Sequence, residues 1–288
     1  MSRLQRKLAL NEFVITAEIA PPKGVEVAPS IAQAKNLADL ADLAAINVTD
    51  NQGANMRMSP LAFSGILCQA GIEPILQLTC RDRNRLALQS DLLGASALGI
   101  ENLLLLSGDH ASFGDHPEAR SVFDLDSVQL LQTVTGLMQG VDMAGKKLSS
   151  PPLFFVGAAV SPEAEPFELM FQKYRKKIDC GAQFFQTQAV FDAKRFAGFM
   201  QEASLLKVPV LAGVLLLKSA GMARFLNANI PGVKVPEALV ERLDQSNNPL
   251  AEGVAIAREM VAVSRDCCQG VHLMTLGHEH LIPEILSV

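Results

Sequence analysis

The chain has no tryptophan, a single tyrosine and only five cysteines in 288 residues. Each shortage removes a class of protein. Without aromatic side chains on which bases stack, a single-stranded nucleic-acid surface has no platform. The 25 Lys and Arg are outnumbered by 30 Asp and Glu and lie scattered apart from one short cluster, so they leave no broad basic footprint. No nucleic-acid partner is expected. The cysteines, Cys68, Cys80, Cys180, Cys267 and Cys268, contain no CxxC and are too few and irregular for a disulfide framework, which suits a reducing cytoplasm. Nowhere do roughly 18 uncharged apolar residues run together, and the leading MSRLQRKLALNEF is basic without an apolar stretch. Neither a membrane span nor an export signal is expected, and a cytoplasmic location follows. A GxG is also missing, so any nucleotide must bind by a route other than the dinucleotide fingerprint.

What the chain does have is apolar material: 49% hydrophobic residues against 19% charged, enough for a continuous core and too little charge for disorder. Short apolar runs alternate with segments of helical period from end to end. The runs predict strands at Phe13 to Ile19, Ala45 to Val48, Pro74 to Leu78, Asn102 to Leu106, Leu153 to Gly157, Phe184 to Thr187, Val208 to Leu215 and Val271 to Met274. They lack polar alternation, as strands of a parallel sheet covered on both faces do. Helix punctuation falls between them: Ser59-Pro60, Asp82, Asp192 and Asn248-Pro249 as starts, Gly99 and Gly181 as stops. Eight βα units in one chain of this length predict a single-domain (β/α)8 TIM barrel spanning 1–288, with a doubly wound open sheet as the alternative. About 55 residues separate the seventh and eighth strands, more than one helix needs, which predicts a helical insertion around 219–268.

In such a barrel the residues that follow each strand collect on one rim. Glu18 ends an apolar strand before the stiff Ala20-Pro21-Pro22, a setting in which loss of water favours a proton-donating carboxyl; an ordinary buried ion pair with Arg or Lys is the other reading. Asp109 follows Ser107-Gly108, either at a ligand or in a plain turn. Lys173, Tyr174, Arg175, Lys176 and Lys177 form the one dense basic run, a solvated helix face or a diphosphate site. Gly140 to Lys147 reads GxxxxGKK but lacks the Ser or Thr of a phosphate loop and follows a helix, so it is read as a helix-ending loop. Cys267, Cys268, His272, His278 and His280 do not share a spacing that zinc requires, and no metal is expected.

The rim segments TAEIAPPKG, INVTDNQGAN, PILQLTCRDRN, LLLLSGDH, SPEA, YRKKIDCGAQFFQTQAVFD and GVHLMTLG, in this order across almost the whole chain, resemble the methylenetetrahydrofolate reductase family of flavin-dependent (β/α)8 barrels. The resemblance implies reduction of 5,10-methylenetetrahydrofolate to 5-methyltetrahydrofolate, a step of one-carbon metabolism and methionine biosynthesis. It implies Glu18 as the acid that protonates folate N10 and opens the five-membered ring, and Asp109 as the carboxylate that stabilises the resulting cation. It implies FAD as cofactor, with hydride delivered from the reduced flavin. Thr49, Gln77, Ser107, Gly108, Asp109 and Ala164 fall at flavin-contacting positions, Lys176 and Lys177 near the flavin phosphates, and Gln188 and His278 at substrate positions.

Several positions differ from the best-known members. Gln77 stands for a His, Ser107 for an Arg, Gly157 and Ser161 for a Tyr and a His, Met222 for a substrate-binding Gln, and His278 for an Arg. TDNQ and QLTCRDRN look like the divergent members of acetogenic or anaerobic one-carbon metabolism, some of which work with partner subunits. The implied electron donor is NAD(P)H or a partner electron-transfer protein, and the implied assembly a homo-oligomer or a subunit of a complex. Two competing readings are a flavin-free pterin-binding methyltransferase barrel, which has no use for the lysine pair, and a folate-binding subunit active only within a complex.

Overall fold

The computed structural model describes residues 1–230 and 232–287. Eight parallel strands close into a barrel in chain order: β1 (Val14–Ile19), β2 (Ala45–Val48), β3 (Pro74–Thr79), β4 (Asn102–Leu106), β5 (Phe155–Val160), β6 (Phe184–Ala189), β7 (Val210–Leu215) and β8 (Gly270–Met274). Closure is made by β1 against β8, where Thr16 sits opposite His272. All eight expected strands are present, in a TIM barrel and not an open sheet. The fifth lies further along than expected. Pro151 and Pro152 cannot donate to a ladder, Leu153 is exposed, and pairing begins where Phe155 meets Asn102.

Helices α1 (Arg3–Ala9), α2 (Ala28–Ala41), α3 (Pro60–Gln69), α4 (Arg85–Ala97), α5 (Ser127–Met138), α6 (Phe167–Asp179), α7 (Ala193–Ala203), α8 (Ala220–Asn229), α9 (Glu237–Gln245), α10 (Pro249–Cys267) and α11 (Ile282–Ile285) occupy the intervals. Their apolar stripes and the outward faces of the strands form the main core, exemplified by Leu37, Phe63, Leu92, Leu131 and Phe199. The expected starts at Asp192 and Asn248 are real caps, each side-chain oxygen accepting from the first turn. Asp82 is not one. Its carboxylate is taken by the neighbouring Arg81 guanidinium, and Asn84 accepts from the Leu86 and Ala87 amides to start α4 instead.

Inside the barrel, the end away from the rim is filled by Val14, Ala45, Ile75, Leu104, Phe155, Phe184 and Leu211, and α1 closes it from below with Leu4 and Leu8. Sequence periodicity had not marked this helix. Glu73 tethers it by accepting from the Arg3 and Leu4 amides. Gly157 belongs to this packed interior. A Cβ there would stand 2.3 Å from the Phe184 ring, so the position that is Tyr in better-known relatives is filled here by a neighbouring phenyl and does not border the ligand space.

Between β7 and β8, α10 packs on both strands as the regular crossover helix, while α8 and α9 form an added layer. Ala223, Val233, Val240, Leu243 and Ile256 give that layer its own apolar cluster. Met222 packs on this cluster and lies outside the rim cavity, contrary to its expected place near a substrate.

Candidate active site

A cavity of about 600 Å³ opens at the carboxyl ends of the strands, within the range of small-molecule sites. Glu18 stands on its wall with a side chain only 10% exposed. Oε1 accepts from Gln52 Nε2 at 3.1 Å, and Oε2 lies 3.6 Å from His272 Nε2. Among the described residues no Arg or Lys pairs with it, so the ion-pair reading of Glu18 fails.

Beneath Glu18 the barrel interior turns polar. Asn47 and Gln186 exchange amide hydrogen bonds of 2.6 and 3.1 Å, Gln186 Nε2 reaches Thr16 Oγ1 at 3.5 Å, and Thr16 Oγ1 meets His272 Nδ1 at 3.1 Å. All four are buried, and together they bridge β1, β2, β6 and β8. The sequence points to His272 only as a rejected zinc ligand and to the other three not at all, although each is the polar exception in an apolar strand. Barrel interiors are built in layers from alternate strands, and that rule groups such exceptions.

The turn after β4 carries Ser107, Gly108 and Asp109 to the cavity. Gly108 has φ of +87°, and a Cβ would lie 3.0 Å from Thr79 and 3.2 Å from Arg81. Glycine is thus required by the backbone and by what lies under it. Arg81, 2% exposed, supports the turn by donating to the Asp109 carbonyl at 3.4 Å while its guanidinium clamps Asp82, whose carboxyl it holds below the usual carboxylate range. Asp50, behind it, accepts from Thr79 and Arg83. The Asp109 side chain itself is exposed on the rim.

Gln77, Ser161, Ala164 and Gln188 line the cavity. His278 does not. Leu276 and Gly277 both adopt positive φ and turn the chain away after β8, leaving His278 beside His280, whereas His272 and Met274, two apart on the strand, face inward. The basic run also needs correction. Lys176 is exposed and off the cavity, because neighbours on a helix are about 100° apart. Lys173 and Lys177, one turn apart, face the cavity with Tyr174 between them. Lys177 Nζ donates to the Ala159 carbonyl at 2.6 Å, and burial, then the nearby Lys173 charge, pushes its ammonium down to about 8. Cys267 and Cys268 end α10, apart from the inward-facing His272, so the imagined zinc set is split.

The Tyr174 hydroxyl, on this side, is buried without a partner; Thr49 Oγ1, after β2, also lacks one but is not part of the cavity wall. Buried polar groups are seldom left so without a ligand or water to meet them. With the two N–H groups of Lys177 not committed to Ala159 and the neighbouring Lys173, the Tyr174 hydroxyl fits a large polar cofactor with anionic groups.

Fold and cavity define a TIM barrel with a candidate ligand site at the carboxyl ends of its strands. The model of the family "Methylenetetrahydrofolate reductase" matches residues 3–288, and the chain belongs to that family. It is 20% identical over 99% of its length to a probable methylenetetrahydrofolate reductase (NADPH) of Caenorhabditis elegans, covering 43% of that protein. It is 24% identical over 94% of its length to the 5,10-methylenetetrahydrofolate reductase of Salmonella typhimurium, covering 88%. The chain spans roughly two fifths of the length of the nematode and plant relatives it matches. Among solved structures, an uncharacterised Clostridium thermocellum protein that binds two copies of 5-methyl-5,6,7,8-tetrahydrofolic acid shares the fold with a TM-score of 0.62, at 13% identity over 99% of this chain and 96% of that one.

Proposed function

We propose that this chain reduces 5,10-methylenetetrahydrofolate to 5-methyltetrahydrofolate, with Glu18 as the general acid. The observation that carries the reading is a nearly buried carboxyl on the cavity wall, hydrogen-bonded by an amide and paired with no Arg or Lys among the described residues. Such a group is placed to give a proton rather than to neutralise a charge. Donation to N10 opens the five-membered ring. Asp109, on the rim, offers negative charge to the cation that forms, and Gln188 offers an amide to the pterin. Gln52 then steadies the Glu18 carboxylate until it regains a proton through the open mouth.

Residues on the other wall fit FAD. Lys173, Lys177 and Tyr174 would hold its phosphates; Gln77, Ser107, Gly108 and Ala164 would border the ring, whereas Thr49, expected there, is buried off the cavity wall. When bound, the flavin supplies the hydride. The folate bound by the Clostridium thermocellum protein supports the substrate class. The test is anaerobic: purified chain with FAD, reduced by dithionite, is expected to reoxidise on adding methylenetetrahydrofolate and to yield 5-methyltetrahydrofolate. A colourless chain that neither takes up FAD nor reduces the substrate would overturn the reading.

The electron source is expected to be a partner protein or low-potential carrier. Gln77 and Ser161 border the space a nicotinamide would use and offer neutral amide and hydroxyl groups where relatives place imidazoles. Loss of a few polar contacts at about 1 kcal/mol each abolishes useful binding of a ligand that needs only modest affinity. NADH and NADPH should therefore reduce the flavin far more slowly than turnover with an artificial donor. Stopped-flow mixing decides it, and bleaching at the turnover rate would restore an ordinary NAD(P)H-dependent reductase.

A further inference from the structure

His272 is buried against the acid, yet the chemistry above makes no use of it. Its ring is fixed at both ends: Nδ1 lies 3.1 Å from Thr16 Oγ1, and Nε2 lies 3.6 Å from Glu18 Oε2. Thr16 has one hydroxyl hydrogen and can give it to the Val271 carbonyl, 3.4 Å away. That carbonyl can only accept, and Gln186 Nε2, 3.5 Å from Thr16, can only donate. With its hydrogen on Val271, Thr16 accepts from Nδ1–H, whether the ring is neutral or charged. Nε2 is then the one ring position at which a proton arrives or leaves, and it faces Glu18.

We propose that His272 is the positioning residue of the acid: the proton destined for folate N10 is shared between Glu18 Oε2 and His272 Nε2, with Thr16 holding the ring in register. The balance is simple. A neutral pair is either carboxyl with imidazole or carboxylate with imidazolium. Moving between them breaks Nε2–H and forms Oε2–H. Delivery to N10 leaves carboxylate with imidazole, and one proton from solvent restores the pair. Catalytic hydrogen bonds that are long in a free enzyme commonly tighten on binding substrate, which suits the 3.6 Å contact.

The surroundings leave this pair to itself. Thr16 and Glu18 of β1 face the two ring nitrogens, Gln186 of β6 reaches the same Thr16 hydroxyl, Asn47 of β2 bonds to Gln186, and the register partner of His272 on β7 is Gly213, which has no side chain. The charged groups elsewhere on the cavity wall, Asp50, Arg81, Asp109, Glu165, Lys173 and Lys177, do not hydrogen-bond to either partner.

The inference rests on Glu18 being the acid, and the test separates the two claims. Methylenetetrahydrofolate reduction by the dithionite-reduced enzyme is measured from acid to alkaline pH in wild type, His272→Phe and Thr16→Val. In wild type the rate falls on the alkaline side as the shared proton is lost. In His272→Phe that fall is expected at least one pH unit lower, with roughly ten-fold loss at neutral pH, recovery toward wild type in acid and little change in folate KM. Thr16→Val should shift it the same way by less. If Phe disturbs the barrel, seen as loss of bound flavin, His272→Gln replaces it and is expected to show the same shift. Equal loss at every pH, or an unmoved profile, overturns the shared proton. A wild type inactive at every pH overturns the reading of Glu18 along with it.

Discussion

Glu18→Gln is expected to keep the barrel and its flavin while losing methylenetetrahydrofolate reduction by about 10² to 10⁴-fold, the usual worth of a well-placed general acid. The amide is isosteric, so its contact with the Gln52 side chain can survive by rotation, and His272 still faces a polar group. What disappears is the transferable proton. Reduction of the flavin by dithionite uses no such proton and should be unchanged, which gives the experiment its internal control. Single-turnover mixing of reduced enzyme with substrate reads the step directly, and a rate within a few-fold of wild type would remove Glu18 from the chemistry.

That Glu18 is legible in the sequence as an acid, and His272 only as a rejected metal ligand, has a physical reason. A charged residue at the end of an apolar run announces itself, since an ionisable group there must be paid for by function or by a partner. A polar residue inside a strand is weighed one strand at a time, and Thr16, Asn47, Gln186 and His272 become a group only when the barrel closes β8 onto β1. Apolar runs bounded by turns made all eight strands legible. Helix α1 was missed because its Leu4 and Leu8 make too short a stripe to show a period, and its burial depends on residues from strands throughout the chain. The lysines were misassigned for an angular reason: adjacency in sequence suggested Lys176 and Lys177, while the helix presents Lys173 and Lys177. His278 was misplaced because the positive-φ turn at Leu276 and Gly277 is invisible to spacing alone.

The paired lysines carry the second large effect. Replacing Lys173 and Lys177 together by Met is expected to weaken FAD at least ten- to hundred-fold, since losing the charge-assisted bonds of Lys177 alone costs about 1.5 to 3 kcal/mol. Equilibrium dialysis or flavin-fluorescence titration measures it, and unchanged affinity would remove the pair from the cofactor site. A pH signature accompanies the loss. The Lys177 ammonium sits at about 8, so flavin affinity should fall as pH rises through that value in wild type and lose this dependence in Lys177→Met. Without ligand the linkage has the opposite sense. The unfolded chain keeps this lysine protonated up to its ordinary value, binds more protons than the folded chain between about 8 and 10.5, and the group's contribution to stability rises across that window.

Tyr174 gives the molecule a built-in reporter. It is the sole tyrosine of a chain without tryptophan, so the tyrosine emission band, excited beyond phenylalanine absorption, arises from one known phenol. That ring is caged by Phe185 at 4.3 Å, Phe199 at 5.4 Å and Phe171 at 5.6 Å, and the residue forms part of the cavity wall. A chromophore entering the cavity will lie within energy-transfer range and quench the emission in proportion to occupancy. Unfolding, by contrast, frees the ring from its cage and changes the signal with no chromophore present. Occupancy and integrity of this barrel can thus be followed separately on unlabelled protein, without introducing a residue that evolution left out.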